Sequence, residues 1–425
     1  MRTTSTDRYR FVIAWLTVPA RFCYGIIASA GPLLPLIMAD LSISRGTAGW
    51  FVSAPQIMMT AFSVPAGILA NRIGLKKTFA IGFFLEAVGI LTPFCVSYPT
   101  LLVTRVLFGI GAAMTNPLAS GIIAQWFSSK ELPLVNGLTQ SGGSVGNTLA
   151  YYVSVPLAVL ISWRWALGSY SAIALISAIL WTILGRERPR VVVTVPRDRT
   201  LQSPPTRASP PVRKSTRQIL MQKETLALAL GVFGPFCLYI MFAAWLPAYY
   251  YEVFKMPLAQ ASYVTAIFKL VGIPSVILGG ILPTRLGVRK PIIVISGLMV
   301  GITGLATFMF RNPVIIFTAL AIYGVFGVIY MPSVLTIPME LPGMTPETGS
   351  LMLAFALGVG NLGGFIGPLI VGYLTDLTGS YLPGFFICCA LSLSLFIGGL
   401  LLPETGPKAK ERTMTKFPFS ANIRS

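Results

Sequence analysis

Three basic residues of this sequence stand inside long apolar stretches, where a charge is costly. Arg21 follows Phe11 by ten residues, Lys269 lies eleven residues into a stretch that begins at 258, and Arg105 stands in a third stretch. A charge at the centre of a membrane helix costs about 2.5–3.5 kcal/mol on insertion scales and usually serves a function. At 1.5 Å per residue, Arg21 and Lys269 are predicted to lie roughly 15 Å deep, near the middle of a ~30 Å hydrocarbon core.

Carboxylates are scarce at the same depth. Glu86 is the only acid predicted deep within a span, and one acid cannot neutralise three bases. Arginine offers a planar, bidentate fork to an oxyanion, whereas lysine acts as a point charge. The pattern predicts a site for a small anion, with an internal salt bridge as the alternative for each base. Packing or a bond to Arg105 is the favoured role for Glu86, and it is the first carboxylate to consider if the protein's function is coupled to protons.

Neutral polar residues at helical spacing could complete an anion site. Gln140, Ser144, Asn147 and Tyr151 recur on one predicted helix face. Hydrogen bonding between helices explains this stripe equally well. The predicted substrate-binding residues are Arg21, Lys269, Tyr24, Gln56, Asn116, Gln140, Asn147, Tyr151 and Asn361.

The composition defines the elements that must position these residues. Of 425 residues, 54% are apolar and only 11% are charged, and the mean hydropathy is +0.76. A soluble domain carries about 25% charged residues, so a soluble enzyme is excluded. The chain is predicted to be an all-α membrane protein with apolar helices at 11–38, 47–70, 78–98, 100–126, 133–161, 164–185, 226–252, 258–283, 291–310, 313–338, 347–373 and 381–403. The predicted organisation is a six-helix half at 1–185, a basic linker at 186–224, a second half at 225–403 and a tail at 404–425.

Basic residues are distributed unequally between the two sides of this arrangement. One predicted side carries 25 Lys and Arg residues and the other carries four. Lys and Arg are enriched in cytoplasmic loops. A multi-pass protein of the plasma membrane with both termini in the cytoplasm is therefore expected.

The segment 190–217 is predicted to face the cytoplasm and to be dispensable for folding, because it is rich in Pro, Ser and Arg and has little to bury. Protease added to inside-out vesicles should cut there. Cleavage confined to right-side-out vesicles would contradict the predicted topology.

An internal repeat divides the chain into two halves. Residues 67–77 read GILANRIGLKK and residues 280–290 read GILPTRLGVRK, with six of eleven positions identical. Phe22-Cys23 and Phe236-Cys237 repeat at nearly the same offset. The repeat predicts two homologous six-helix halves related by an axis along the membrane normal.

The repeated loop resembles the cytoplasmic loop motif of the major facilitator superfamily, and Arg105 with two later glycines is similar to that family's second motif. The residues that carry the resemblance are Gly67, Asn71, Arg72, Gly74, Gly280, Arg285, Gly287 and Arg105. The resemblance implies the major facilitator fold, with a gating role for these motif residues. The family usually has Asp where this chain has Asn71 and Thr284, and the Gly-Pro pair of the antiporter motif is absent from the fifth helix.

These observations favour a secondary transporter, a symporter or an antiporter, that moves a small organic or inorganic anion by alternating access. The two bases are placed similarly to those of the small-anion branches of the superfamily, such as monocarboxylate, oxalate, cyanate and nitrate porters. An exporter of amphiphilic compounds and a non-transporting membrane sensor are the alternatives. No enzymatic activity, cofactor, metal or nucleic-acid partner is expected. A monomer is expected, coupled to protons or to a counter-anion.

Overall fold

Helices make up the regular structure of the chain. The computed structural model describes residues 5–28, 30–128, 131–187, 216–341 and 344–406, and within these ranges it contains no strand. Most of the predicted linker and tail therefore lie outside the described residues. The α-helices are α1 (Ser5–Ala28), α2 (Leu34–Leu41), α3 (Arg45–Ile73), α4 (Leu75–Ala87), α5 (Tyr98–Trp126), α6 (Leu132–Ile161), α7 (Trp163–Leu184), α8 (Thr216–Leu220), α9 (Lys223–Glu252), α10 (Leu258–Leu286), α11 (Lys290–Met309), α12 (Pro313–Ile329), α13 (Met331–Glu340), α14 (Pro346–Thr378), α15 (Leu382–Ser392) and α16 (Ser394–Leu401).

Twelve of these helices or joined helices in the described residues are long and apolar enough to cross a membrane, six on each side of the segment 188–215. This confirms the predicted all-α membrane fold. The first span differs from its prediction as one continuous helix, because α1 and α2 are joined through a 3₁₀ turn at Gly31–Leu33. Pro32 and Pro35 lack the backbone N–H that a continuous helix would use. The third span likewise ends as a 3₁₀ helix, Val88–Phe94.

Glycines allow the helices of each half to approach closely in the same way. A Cβ on Gly146 of α6 would lie 2.4 Å from the carbonyl oxygen of Phe22 in α1. In the second half, a Cβ on Gly363 of α14 would lie 2.1 Å from the carbonyl oxygen of Phe233 in α9. Small residues permit backbone contact between membrane helices. The equivalent helix pairs of the two halves therefore pack backbone to backbone.

The two halves meet near one face of the molecule. We call the face at which α1 and α9 begin the terminal face, and the opposite face the distal face. One cluster of buried apolar residues draws on both halves and includes Leu33 and Trp245. The two other clusters are each confined to one half and include Trp126 and Ile337, respectively. The conformation is therefore closed at the distal face, and the halves part towards the terminal face.

Charged groups reinforce the closure at the distal face. Arg45 of α3 forms an ion pair with Glu252 of α9, with 2.6 Å between Nη2 and Oε2. The Tyr381 hydroxyl accepts from Arg45 and donates to Glu252. The carboxylate of Asp376 in α14 accepts from the backbone N–H groups of Arg45 and Gly46 at 3.0 and 2.7 Å. An acid of one half therefore caps the first turn of a helix of the other half, where a negative charge is favourable.

The substitution Asp376→Asn is expected to weaken distal closure, because the amide carries no charge to place at the start of α3. The loss of a helix cap costs about 1 kcal/mol, which corresponds to roughly a fivefold change in population. Nitroxide labels at Ser97→Cys and Arg311→Cys, on the distal ends of different halves, should report a larger fraction of long distances by pulsed electron paramagnetic resonance.

The matched control is Asp40→Asn, which removes an acid that binds Trp163 and Arg164 within the first half. This control should leave the distance distribution unchanged. An equal shift in both variants would show that the bond of Asp376 to α3 does not govern closure.

Candidate functional site

Lys269 lies at a cavity between the two halves. It is on α10 and only 6% exposed. Its ammonium nitrogen stands 3.8 Å from the ring centroid of Tyr239 and 4.9 Å from that of Phe268. The cavity has a volume of about 90 Å³. It is lined by Tyr24, Val52, Gln56, Asn147, Tyr239, Ile240, Ala243 and Lys269. An apolar cavity of about 150 Å³ holds benzene, so this space accommodates a solute of a few heavy atoms.

Arg21 is held by neutral acceptors on α5. Its Nη1 donates to the amide oxygen of Asn116 at 3.0 Å, and its Nη2 donates to the hydroxyl of Ser120 at 3.1 Å. The two acceptors are four residues apart and therefore lie on one face of α5. They use both arms of the guanidinium group and fix its plane. This arrangement needs arginine, because a lysine ammonium has no such fork.

In the part of the chain that the structure describes, the two cations have no acidic partner. Among the described residues, neither Arg21 nor Lys269 belongs to any of the five ion pairs. Hydrogen bonds to a charged group contribute about 1.5–3 kcal/mol, and a desolvated cation on an aromatic face about 2 kcal/mol. These contacts offset part of the cost of burial, and an anion bound beside either base would stabilise its charged form further. The space between the halves is therefore suited to an anion.

The structure brings together some of the predicted site residues and separates others. Tyr24, Gln56 and Asn147 line the Lys269 cavity, and Asn116 binds Arg21. The Tyr24 hydroxyl donates to the Gln56 amide oxygen at 3.4 Å. Of the predicted stripe on α6, only Asn147 lines the cavity. These four residues and the two cations remain the candidates for substrate contact.

Three predicted site residues lie elsewhere. The Tyr151 hydroxyl donates to the carbonyl oxygen of Ala243 at 2.5 Å and so joins the halves, although its ring lies 5.9 Å from the Lys269 nitrogen. Gln140 is exposed, and Asn361 is half-buried outside the cavity lining. Helical spacing alone could not separate these positions, since a stripe on a 30-residue helix extends beyond one cavity.

Arg105 is remote from this site. Its guanidinium carbon stands 3.9 Å from the centroid of the Phe51 ring in α3. Eleven residues, or roughly 16 Å of helix, separate Arg105 from Asn116 along α5. Arg105 therefore packs the second and fourth spans together near the distal face.

The loop-motif glycines have two different environments. Gly74 and Gly287 have φ values of 94° and 70°, which favour glycine. A Cβ on Gly67 or Gly280 would meet nothing within 4 Å. Neither position makes a close helix contact in a conformation whose halves part at the terminal face.

The remaining motif residues lie at this open face. Arg72 and Arg285 are exposed, as is Asn71. The hydroxyl of Thr284 donates to the carbonyl oxygen of Gly280 within its own helix. In the second half, Thr284 thus stands where the family that the loop resembles usually has Asp, and its hydroxyl bonds within its own helix.

Sequence reasoning missed three acids at the terminal face. Glu187 accepts from the first N–H groups of α4, and Glu404 accepts from Arg289 and Lys290 at the start of α11. Glu340 forms a bidentate ion pair with Arg289 at 2.6 and 2.7 Å. The sequence contained a signal for two of these acids. Glu187 and Glu404 each follow the last span of a half, and the offset between them is close to that of the internal repeat.

Glu86 lies between α4 and α5. It is fully buried on α4 and accepts a hydrogen bond from the Thr115 hydroxyl of α5, the neighbour of Asn116. Its second oxygen has no hydrogen-bond partner among the described residues. Burying a carboxyl group that has only one hydrogen bond costs much less free energy when the group is neutral than when it is ionised. Its position on an outer helix favours a packing role.

Replacing Glu86 by Gln should alter expression or thermal stability more than the pH dependence of uptake, because the change mainly affects packing between α4 and α5. Uptake at several pH values, with expression measured in parallel, checks this. A selective loss of proton-driven accumulation with normal exchange would instead identify Glu86 as the coupling site.

Two six-helix halves around a central polar cavity, closed at one face, define the architecture of an alternating-access membrane transporter. The family model described as Major Facilitator Superfamily matches residues 17–345. The chain belongs to this family, and it is a transporter and not an enzyme.

Several transporters are similar to the chain along most of its length. It is 24% identical to the hexuronate transporter of Bacillus subtilis, covering 88% of this chain and 90% of that protein. It is 25% identical to a probable nitrate transporter of Staphylococcus epidermidis, covering 84% and 86% of the two chains. It is 27% identical to a probable sulfoacetate transporter of Cupriavidus necator, covering 87% and 89%.

A solved structure shows the same fold. A bacterial homolog of the human lysosomal transporter Spinster, in an inward-facing and unoccupied conformation, superimposes with a TM-score of 0.71 at 16% identity, covering 94% of this chain and 95% of that chain.

Proposed function

We propose that this transporter moves a small organic or inorganic anion across the plasma membrane by alternating access, with the terminal face in the cytoplasm. The observation that carries the proposal is the half-buried Arg21 of the first half and the buried Lys269 at the cavity between the halves, neither of which has an acidic partner in the described residues. Because a lone charge in the membrane core is costly, an anion that neutralises it gains binding energy there.

The closure of one face supplies the second part of the proposal. The distal contacts of Arg45, Glu252 and Asp376 close the route to one side. Opening them while the halves meet at the terminal face would expose the same cations to the other side. The structure would then be the inward-facing state. Protons or a counter-anion would drive the cycle.

The names of the relatives support an anionic substrate. Hexuronate, nitrate and sulfoacetate all carry negative charge, although they differ in size and shape. The alternative, an exporter of amphiphilic compounds, has less support, because such an exporter would use an acidic residue in its cavity and no carboxylate lines the described cavity.

The sharpest test of the function compares substitutions of the two cations. Arg21→Lys should lose most transport despite keeping its charge, because one ammonium cannot bind Asn116 and Ser120 with a fixed fork. Lys269→Arg should retain more activity than Lys269→Gln, because it keeps the charge. Uptake of nitrate, acetate and hexuronate into proteoliposomes of known orientation measures these effects.

All the variants should insert into the membrane, since Arg21→Lys and Lys269→Arg leave the charge unchanged and the Gln variants remove a buried charge, which lowers the insertion cost. Size-exclusion profiles of the purified variants provide this control. Normal anion uptake by the double variant Arg21→Gln, Lys269→Gln, or a preference of the parent for cations, would overturn the proposed function.

A further inference from the structure

The two cations lie at different depths between the halves, and the positions along α6 that lie near each of them give the difference in depth. A Cβ on Gly143 of α6 would lie 3.7 Å from the Cβ of Arg21. The ring of Tyr151, eight residues further along the same helix, lies 5.9 Å from the Lys269 nitrogen. Eight residues of α-helix span roughly 12 Å. The α6 positions beside the two cations therefore lie roughly 12 Å apart along the helix, which is more than the width of one nitrate or carboxylate group.

The positions of Arg21 and Lys269 along their own spans give the same order of depth. Arg21 is 12 residues from the terminal end and 20 from the distal end of the span Tyr9–Leu41. Lys269 is 11 residues from the distal end and 17 from the terminal end of Leu258–Leu286. Arg21 therefore lies on the terminal side of the centre, and Lys269 lies on the distal side.

Two buried hydrogen-bond donors at Arg21 have no acceptor among the described residues. Within the described part of the chain, Nε of Arg21 and the amide nitrogen of Asn116 are buried and lack a hydrogen-bond partner. Asn116 is only 9% exposed, and its amide oxygen already binds the same guanidinium group. A buried donor without an acceptor costs about 1–3 kcal/mol. Two such donors on one bonded pair indicate an acceptor that binds there in another state.

We propose that Arg21, Asn116 and Ser120 form a separate binding subsite for a planar oxyanion, a carboxylate or nitrate, distinct from the cavity at Lys269. This inference rests on the proposed function and adds that the anion occupies two positions in series. Oxyanion oxygens would replace the amide and hydroxyl oxygens on the guanidinium group, since charge-assisted hydrogen bonds are roughly twice as strong as neutral ones. The Asn116 amide, turned about its last torsion, would then donate to the anion.

Tyr24 stands between the two subsites. It follows Arg21 by three residues on α1, towards the distal face, and it lines the Lys269 cavity. Its hydroxyl bond to Gln56 joins the first and second spans across that position. An anion that moves from one cation to the other must pass this pair.

The test is the number of anions bound per chain. Equilibrium dialysis of the purified full-length protein with isotope-labelled nitrate, and separately with labelled acetate, should give two bound anions for the parent. Arg21→Gln and Lys269→Gln should each bind one, and the double variant should bind none. Arg105→Gln is the matched control, since it removes a buried arginine outside both subsites, and it should still bind two.

Two substitutions of Asn116 separate binding from folding. Asn116→Leu removes the amide and should reduce the parent's two anions to one. Asn116→Asp supplies a fixed carboxylate to Arg21, so it should also bind one anion but melt at a higher temperature than Asn116→Leu.

The possible failures are distinguishable. One bound anion in the parent, lost in both single-cation variants, would overturn the two subsites and leave the proposed function standing. Two bound anions in both Asn116 variants would exclude Asn116 from the subsite. No binding of either anion by the parent would overturn the proposed function together with the subsites.

Discussion

The arrangement of this transporter depends on two basic side chains in the membrane core, Arg21 and Lys269, that form no ion pair with an acid among the described residues. Arg21 and Lys269 remain tolerable in the membrane core because an amide, a hydroxyl and aromatic faces surround them. Each of these groups offers partial negative charge without ion pairing. A carboxylate at either place would bind the cation permanently and compete with a transported anion. Neutral partners leave each base available to an anion that can exchange.

Conformational change requires contacts that are strong within each half and reversible between halves. Backbone-to-backbone packing at Gly146 and Gly363 lies within halves and leaves little room for adjustment. The distal face instead uses ion pairs and hydrogen bonds of Arg45, Glu252 and Asp376, which water can replace when the face opens. Surface ion pairs contribute only about 0–1 kcal/mol each, so such a closure is readily reversed.

The two halves share a fold but differ in their chemistry. Each half caps the start of its third span with a glutamate that follows its last span, Glu187 in the first and Glu404 in the second. The cations break this symmetry, because Arg21 is on the first span and Lys269 on the eighth, whose repeat counterpart is Gln56. Duplication therefore supplied the scaffold, and the polar residues of the site diverged on it.

The sequence by itself determined the spans, the duplication and the residues whose burial would be costly, because hydropathy and charge are properties of local segments. It also identified Tyr24, Gln56, Asn116 and Asn147 as polar residues near the cations. Only the tertiary structure separated Arg21 from Lys269 in depth and paired Arg21 with Ser120. Tertiary packing also assigned Tyr151 to the contact between the halves and placed Asp376 on a helix of the other half. These facts depend on how each helix is rotated about its axis and on which helix ends meet. The helical periodicity of one segment carries no information about either.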